Sequence, residues 1–363
     1  MNILVTGVGG PTPRSFALSL KLYSNYDTYN FIGTDINPLS YGLYQKDLFS
    51  HGYVVPKAGT EEYWKTIEDI IHYHQIKYAV ILPEMEVLEW SRKASSSFLP
   101  CQAFIPDLQL GEVLVDKARM TDILDPLGIV PPSLEFNREE SNLLRIFDRL
   151  GSDFWVRSSS GTSGLGSLRI DSLDSLKNWI QINPKVNTFL ASQYLPGRNL
   201  ACKLLYDKGQ LIRSACGERV NYIMSKVSPS GITGNTSFGR LLNAPEIIKV
   251  AKRAMDYLFI ATQASKQGFF TVDLKEDGQG NPFITEINIR HVAFTQCFAA
   301  GGANFAEDTI RIMDNDILFD RNYQMYEFQE GLIFLRDVDG IPILMNEENQ
   351  LTPLMHQKIF SIT

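Results

Sequence analysis

The chain has 363 residues, 44% of them hydrophobic, and its 34 Lys+Arg against 41 Asp+Glu give a net charge of −7. At roughly 100 to 200 residues per domain it forms two or three packed domains, which excludes a mini-protein or a disordered tail. No basic run stands out that would release counterions from a phosphate backbone, no apolar stretch reaches the roughly 18 residues of a membrane helix, and the start lacks a cationic leader, so the expectation is a soluble cytoplasmic protein without nucleic-acid or membrane partners.

Residues 3–6 read as a first strand, 15–23 as a helix, 31–35 as a second strand, 61–74 as a helix and 78–82 as a further strand. Short apolar runs alternating with helical spacing predict a parallel sheet covered by helices. A helix over 116–127 is stopped by Gly128, and Ile129-Val130-Pro131-Pro132 runs extended into new material. From Phe154 the signals become antiparallel: strands at 154–157 and 167–170 around a Ser/Gly loop, then a helix at 172–182. Next come a strand at 188–194, a hairpin turning at Asp207-Lys208-Gly209-Gln210, a polar loop over 225–238, a helix over 245–258 and strands at 268–274 and 282–289. Residues 331–336 read as part of an additional small sheet.

The four cysteines, Cys101, Cys202, Cys216 and Cys297, form no Cys-x-x-Cys pair and have no histidine at a zinc-ligand spacing. Pairing Tyr206 with Leu211 in the hairpin puts Cys202 opposite Ala215, on the other face from Cys216, so free thiols are expected. His51, His72, His74 and His356 have no partner visible in sequence, and the pair Phe269-Phe270 reads as core.

Three segments carry chemistry. Gly7-Val8-Gly9-Gly10-Pro11-Thr12 lies between strand and helix, but Thr12 stands where a dinucleotide fingerprint has its third glycine, Pro11 lacks a donor, and Asp35 lies beyond the roughly 20-residue spacing such a site uses. A tight packing turn or a carboxylate-binding turn is the better reading than an NAD site. The run from Arg157 to Ser167 is a small-residue loop between strands, able to fold over a triphosphate or to be a surface hairpin. Asp273 on one strand faces Glu286, Asn288 and Arg290 on the next, a row of hard oxygen donors beside a cation that suits magnesium shared with phosphates. His291 points to the opposite face and reads as packing.

The order TGVGG, GTDINP, DKARMTDIL, VRSSSGTSGLG, QYLPG and EINIR, over residues 1–312, resembles the ATP-grasp superfamily, especially the carbamoyl-phosphate-synthase-like branch of carboxylate-amine ligases. The resemblance implies an α/β and α+β chain: a Rossmann-like pre-ATP-grasp domain over 1–112, a linker helix and central lid subdomain over 113–195, a C-terminal ATP-grasp subdomain over 196–313, and an extension over 314–363. It implies that Lys117 and Arg157 touch phosphates, that Gly161, Thr162, Ser163 and Gly164 belong to the lid loop, and that Gln193, Tyr194 and Leu195 line adenine beside Asn199 near the ribose. Asp273, Glu286 and Asn288 match magnesium ligands, and Arg290 matches the arginine that steadies an acyl phosphate. Gln193 and Asn199 replace the family's usual carboxylates. Arg219 and the 225–238 loop lie where relatives often bind the acceptor.

The activity so implied uses ATP and Mg²⁺ to turn a small carboxylate into an acyl phosphate and join it to an amine; relatives are often homodimers, and the residues from about 314 onward suit a dimer surface, a site cover or an extra packing layer alike. Two alternatives share the site: a bicarbonate-using, carboxyphosphate-forming enzyme and a nucleotide-binding protein without chemistry.

Overall fold

The computed structural model describes residues 1–159, 167–228, 230–337 and 343–349. In its first part β1 (Asn2–Thr6), α1 (Pro11–Tyr23), β2 (Asn30–Asp35), β3 (Phe49–Val54), α2 (Glu61–Tyr73), β4 (Tyr78–Val80), α3 (Glu84–Ser96) and β5 (Gln102–Ala103) build a five-stranded sheet of order β3-β2-β1-β4-β5. The pairings are parallel, and Ile3, Leu4 and Val5 are all buried because helices cover both faces. The chain leaves β1 to one side for β2 and to the other for β4, so the ends of β1 and β4 bound a crevice of the kind that holds ligands in such sheets. Proline at N1 lets α1 start at Pro11, four residues before the apolar spacing shows it.

Next come α4 (Leu108–Val115), α5 (Lys117–Leu124), β6 (Ser133–Phe136), α6 (Glu140–Leu150), β7 (Phe154–Ser158), β8 (Leu168–Ile170), α7 (Leu173–Ile182) and β9 (Phe189–Gln193). Asp116 caps α5, accepting from the Arg119 amide, and a 3₁₀ turn carries the chain to Gly128 at φ +64°. The small sheet has the order β6-β9-β7-β8 and its own core of Phe154, Val156, Ile170, Leu176, Trp179 and Phe189.

The rest is β10 (Asn199–Asp207), β11 (Gln210–Tyr222), β12 (Thr236–Leu242), α8 (Pro245–Ala261), β13 (Gly268–Glu276), β14 (Pro282–Asn288), α9 (Thr295–Ala300), α10 (Phe305–Met313), β15 (Gln324–Met325), β16 (Leu332–Leu335) and β17 (Ile343–Asn346). An eight-stranded sheet runs β14-β13-β10-β11-β12-β16-β17, with β15 on β11. One face packs on α8 through Leu200, Cys202, Leu204, Val272 and Leu274; the other carries Ala201, Leu205, Phe269 and the Phe294–Phe298–Phe305 cluster.

Three expectations are corrected here. Residues 332–335 and 343–346 extend the large sheet at β12 instead of forming a separate one, because β12 would otherwise present an open edge. The polar loop ends earlier than expected, with β12 starting at Thr236. In the β10–β11 hairpin Tyr206 does face Leu211, but a bulge at Ile212 shifts the register, so Cys202 lies opposite Cys216; both thiols are buried and free. His74 also has a partner that sequence did not reveal, the Tyr53 hydroxyl at 2.7 Å from Nε2.

Asp314, just after α10, ties the large sheet's layer to the N-terminal one by accepting from Lys77, Tyr26 and Tyr78. Burial alone would raise its carboxyl, but these donors outweigh it and hold it at about 2. A depressed carboxyl stabilises the fold above the ordinary carboxylate range and loses that contribution as pH falls towards 2. We expect Asp314→Asn to cost about 1–3 kcal/mol at pH 7, and the difference from wild type in urea titrations to shrink at acid pH; an equal difference at pH 7 and pH 3 would refute this.

Candidate active site

The Asp273 row is made by β13 and β14, which pair Asp273 directly with Glu286 and Thr271 with Asn288. Asn288 Nδ2 donates to Asp273 Oδ2 at 3.3 Å. The next pair is Leu274 with Ile284, so Thr285 is an extra, bulged residue. Its hydroxyl donates to the Asp273 carbonyl at 3.2 Å and its own carbonyl accepts from Arg157 Nη2 at 2.7 Å, joining the small sheet to the large one. Burial pulls the Arg157 guanidinium below its usual value, with the Glu286 charge opposing, and its Nε has no partner.

Lys117, the first residue of α5, is buried with Nζ 3.4 Å from Glu286 Oε1, while its amide donates to the Ser159 carbonyl at 3.1 Å. Asp273 is held on its other side by Arg219 of β11, Nη1 to Oδ1 at 3.4 Å. Burial, opposed by Arg219 and reinforced by Glu286, pushes the Asp273 carboxyl up to about 6. Two carboxylates and an amide oxygen thus stand together, flanked by Lys117, Arg157 and Arg219. Hard oxygen donors in that number suit a divalent cation that keeps further positions for water and phosphate.

Arg290 lies beyond the end of β14, not on the strand as the row suggested, because the ladder stops at Asn288. Its guanidinium donates to the His291 carbonyl at 3.0 Å and meets Glu84 Oε1 at 3.2 Å. Burial raises the Glu84 carboxyl against the pull of Arg290. His291 is buried and stacks on Phe269 at 3.7 Å, in keeping with packing.

At the opposite end, the Gln193 amide donates to the Pro132 carbonyl at 2.9 Å, the Tyr194 ring lies under the Arg169 guanidinium at 4.0 Å, and Leu195 is buried. Asn199 Oδ1 accepts from Lys275 Nζ at 3.2 Å. The Gly7–Gly10 turn spends its amides internally: Val8 on Thr34, Gly9 on the Asp35 carboxylate at 2.8 Å, and Gly10 on Gly7. Gly7 has φ +69° and a Cβ there would sit 2.5 Å from Pro83, so close packing accounts for the glycine.

One cavity of about 640 Å³ brings these groups together. Lys117, Arg157, Gln193, Tyr194, Leu195, Asn199, Asp273, Glu286, Asn288 and Arg290 all line it, together with Gly7 and Pro83 at the crevice of the parallel sheet. Gly161, Thr162, Ser163 and Gly164 lie outside the described residues. Sequence reasoning missed Lys275, which lines the cavity, and Glu84 behind Arg290. An acidic residue in a first helical turn is too ordinary a signal to single out, and Lys275 stands in a strand whose alternation gave it no distinction.

No protein-family model matches the chain. It is 25% identical over 193 residues to the D-alanine–D-alanine ligase of Mannheimia succiniciproducens, a match that covers 48% of this chain and only 58% of that enzyme. Among solved structures, the biotin carboxylase domain of the Hydrogenobacter thermophilus 2-oxoglutarate carboxylase, complexed with MgADP, ADP and bicarbonate, has a TM-score of 0.67 at 14% identity, covering 92% of this chain and 74% of that one. The L-amino acid ligase of Bacillus licheniformis has a TM-score of 0.64 at 16% identity, covering 92% and 78%. These likenesses show that the chain shares the fold of those structures, here a parallel sheet followed by a small antiparallel sheet and a large, mainly antiparallel one.

Proposed function

We propose that the protein is an ATP-dependent, ADP-forming ligase that activates a small carboxylate as an acyl phosphate and joins it to an amine, acting in the cytoplasm. The observation that carries this reading is the packing of Asp273, Glu286 and Asn288 against Lys117, Arg157 and Arg219 on one cavity wall. In this reading the pre-ATP-grasp domain ends at 112, the linker and lid subdomain at 195, and the C-terminal subdomain at 313.

The donor set fits magnesium: Asp273 Oδ1 is buried with only the long Arg219 ion pair at 3.4 Å and no hydrogen bond, which leaves it a lone pair to offer a divalent cation. When bound, magnesium would neutralise phosphate oxygens and favour transfer of the terminal phosphoryl group. Lys117 and Arg157 reach the same oxygens from α5 and β7, adding fixed positive charge where negative charge builds up. Arg290, braced by Glu84, faces the carboxylate and then the acyl phosphate. Residues 193–195 and Asn199 receive the nucleoside. The amine then attacks the acyl carbon and phosphate leaves.

Calorimetric titration tests this. A non-hydrolysable ATP analogue should bind in a magnesium-dependent way, Glu286→Gln should weaken it about tenfold or more, and NADH should not bind. NADH binding with no response to the analogue would overturn the reading.

A further inference from the structure

Besides the Asp273 row, the cavity is lined by residues of different chemistry, among them Tyr222, Ile232, Val292 and Phe294. Among these stands Arg219, which is paired with Asp273 Oδ1 at 3.4 Å and donates from Nε to Thr236 Oγ1 at 2.9 Å and from Nη2 to the Gly234 carbonyl at 2.6 Å. Its guanidinium lies over the rings of Tyr222 and Phe294, at 4.9 and 5.4 Å, so it is held in a single direction. Behind it Arg336 donates to the Thr236 carbonyl at 3.2 Å and adds positive field.

Arg219 has Asp273 as its charged partner, whereas the lining residues Tyr222, Ile232, Val292, Phe294, Pro11 and Pro13 carry no charge. The Ser15 hydroxyl accepts from the Gln296 amide at 2.9 Å, docking α1 against the start of α9, and Pro11, Pro13, Val292 and Phe294 all line the cavity. The loop carrying Ile232 is folded back by Thr233 Oγ1 on the Ile223 carbonyl and the Ile223 amide on the Asn235 carbonyl, and both Ile232 and Tyr222 line the cavity.

We propose, on the ligase reading, that the acid activated here is a monocarboxylate with an uncharged, largely apolar body. Its carboxylate lies between Arg290 and Arg219, and its body lies among Tyr222, Ile232, Phe294 and the α1 prolines. A second charge on that body would be desolvated against apolar walls without a partner, whereas an apolar body gains by leaving water.

Calorimetry of the full chain with 3-phenylpropionate, 4-methylpentanoate and glutarate tests the class, first without nucleotide and then with the ATP analogue and magnesium. Both apolar acids should bind at least about tenfold more tightly than glutarate. Ile232→Asn, in a loop outside the core, should remove most of that preference, and Ile232→Leu should retain it. Glutarate binding as tightly as the others, or a preference unchanged by Ile232→Asn, would overturn the substrate class alone. Since the preference is read without nucleotide, a protein that shows it but does not bind the analogue overturns the ligase reading instead.

Discussion

Asp273→Asn is expected to slow ADP release about 10²- to 10³-fold, the loss typical when one preorganised group facing developing charge is removed. Asp273 is half-buried, directly opposite Glu286 and hydrogen-bonded by Asn288. The amide keeps the shape and one oxygen but removes the negative charge that draws a divalent cation into a site already holding Lys117, Arg157 and Arg219. The fold should survive. Arg219 loses an ion pair at 3.4 Å but keeps Thr236, Gly234 and two aromatic faces. The carboxylate that disappears was itself disfavoured by burial. A coupled ADP assay beside a thermal melt checks both halves: undiminished ADP release would remove Asp273 from the site, and a collapsed melt would make it a structural residue.

Much of this site is legible in sequence because strand alternation and the Asp277–Asn281 turn dictate it. Residues two apart share a face, so Glu286 and Asn288 must stand together, and a short connection brings Asp273 beside them. What alternation cannot supply is a bulge. Thr285 and Ile212 each add one residue to a ladder, turning a carbonyl to Arg157 in the first case and reversing the Cys202–Cys216 parity in the second. Nor does local pattern reveal helices with little apolar repeat, such as α3, or an edge strand as polar as β3, whose pairing depends on β2. Arg219 could be suspected only by position; its hold on Asp273 depends on β11 and β13 flanking β10, a long-range fact of the sheet.

Lys203 shows the same limit and carries the second large effect. In the run Leu200 to Asp207 a lysine on alternating spacing reads as a solvent-facing residue, yet α9 and the strand's neighbours cover that face and bury it completely. Its ammonium has Thr295 Oγ1 at 3.2 Å and the rings of Phe294, Phe298 and Phe269 at 4.9, 4.9 and 5.4 Å. Burial pulls it down to about 7, against the opposing charge of Asp273. For a group depressed in the folded state, its contribution is present above the ordinary lysine range and is lost as pH falls to about 7, because the unfolded chain takes up the proton first. Lys203→Met should therefore stabilise the protein by about 1–3 kcal/mol at pH 7, with the gain fading as pH approaches about 10. Thr295 still donates to the Val292 carbonyl at 2.8 Å, so no buried hydroxyl is orphaned. The lysine nevertheless helps keep Asp273 ionised. The methionine variant should accordingly be the more stable and the slower of the two, and a variant that melts lower at pH 7 would show that the aromatic faces more than offset the burial of the charge.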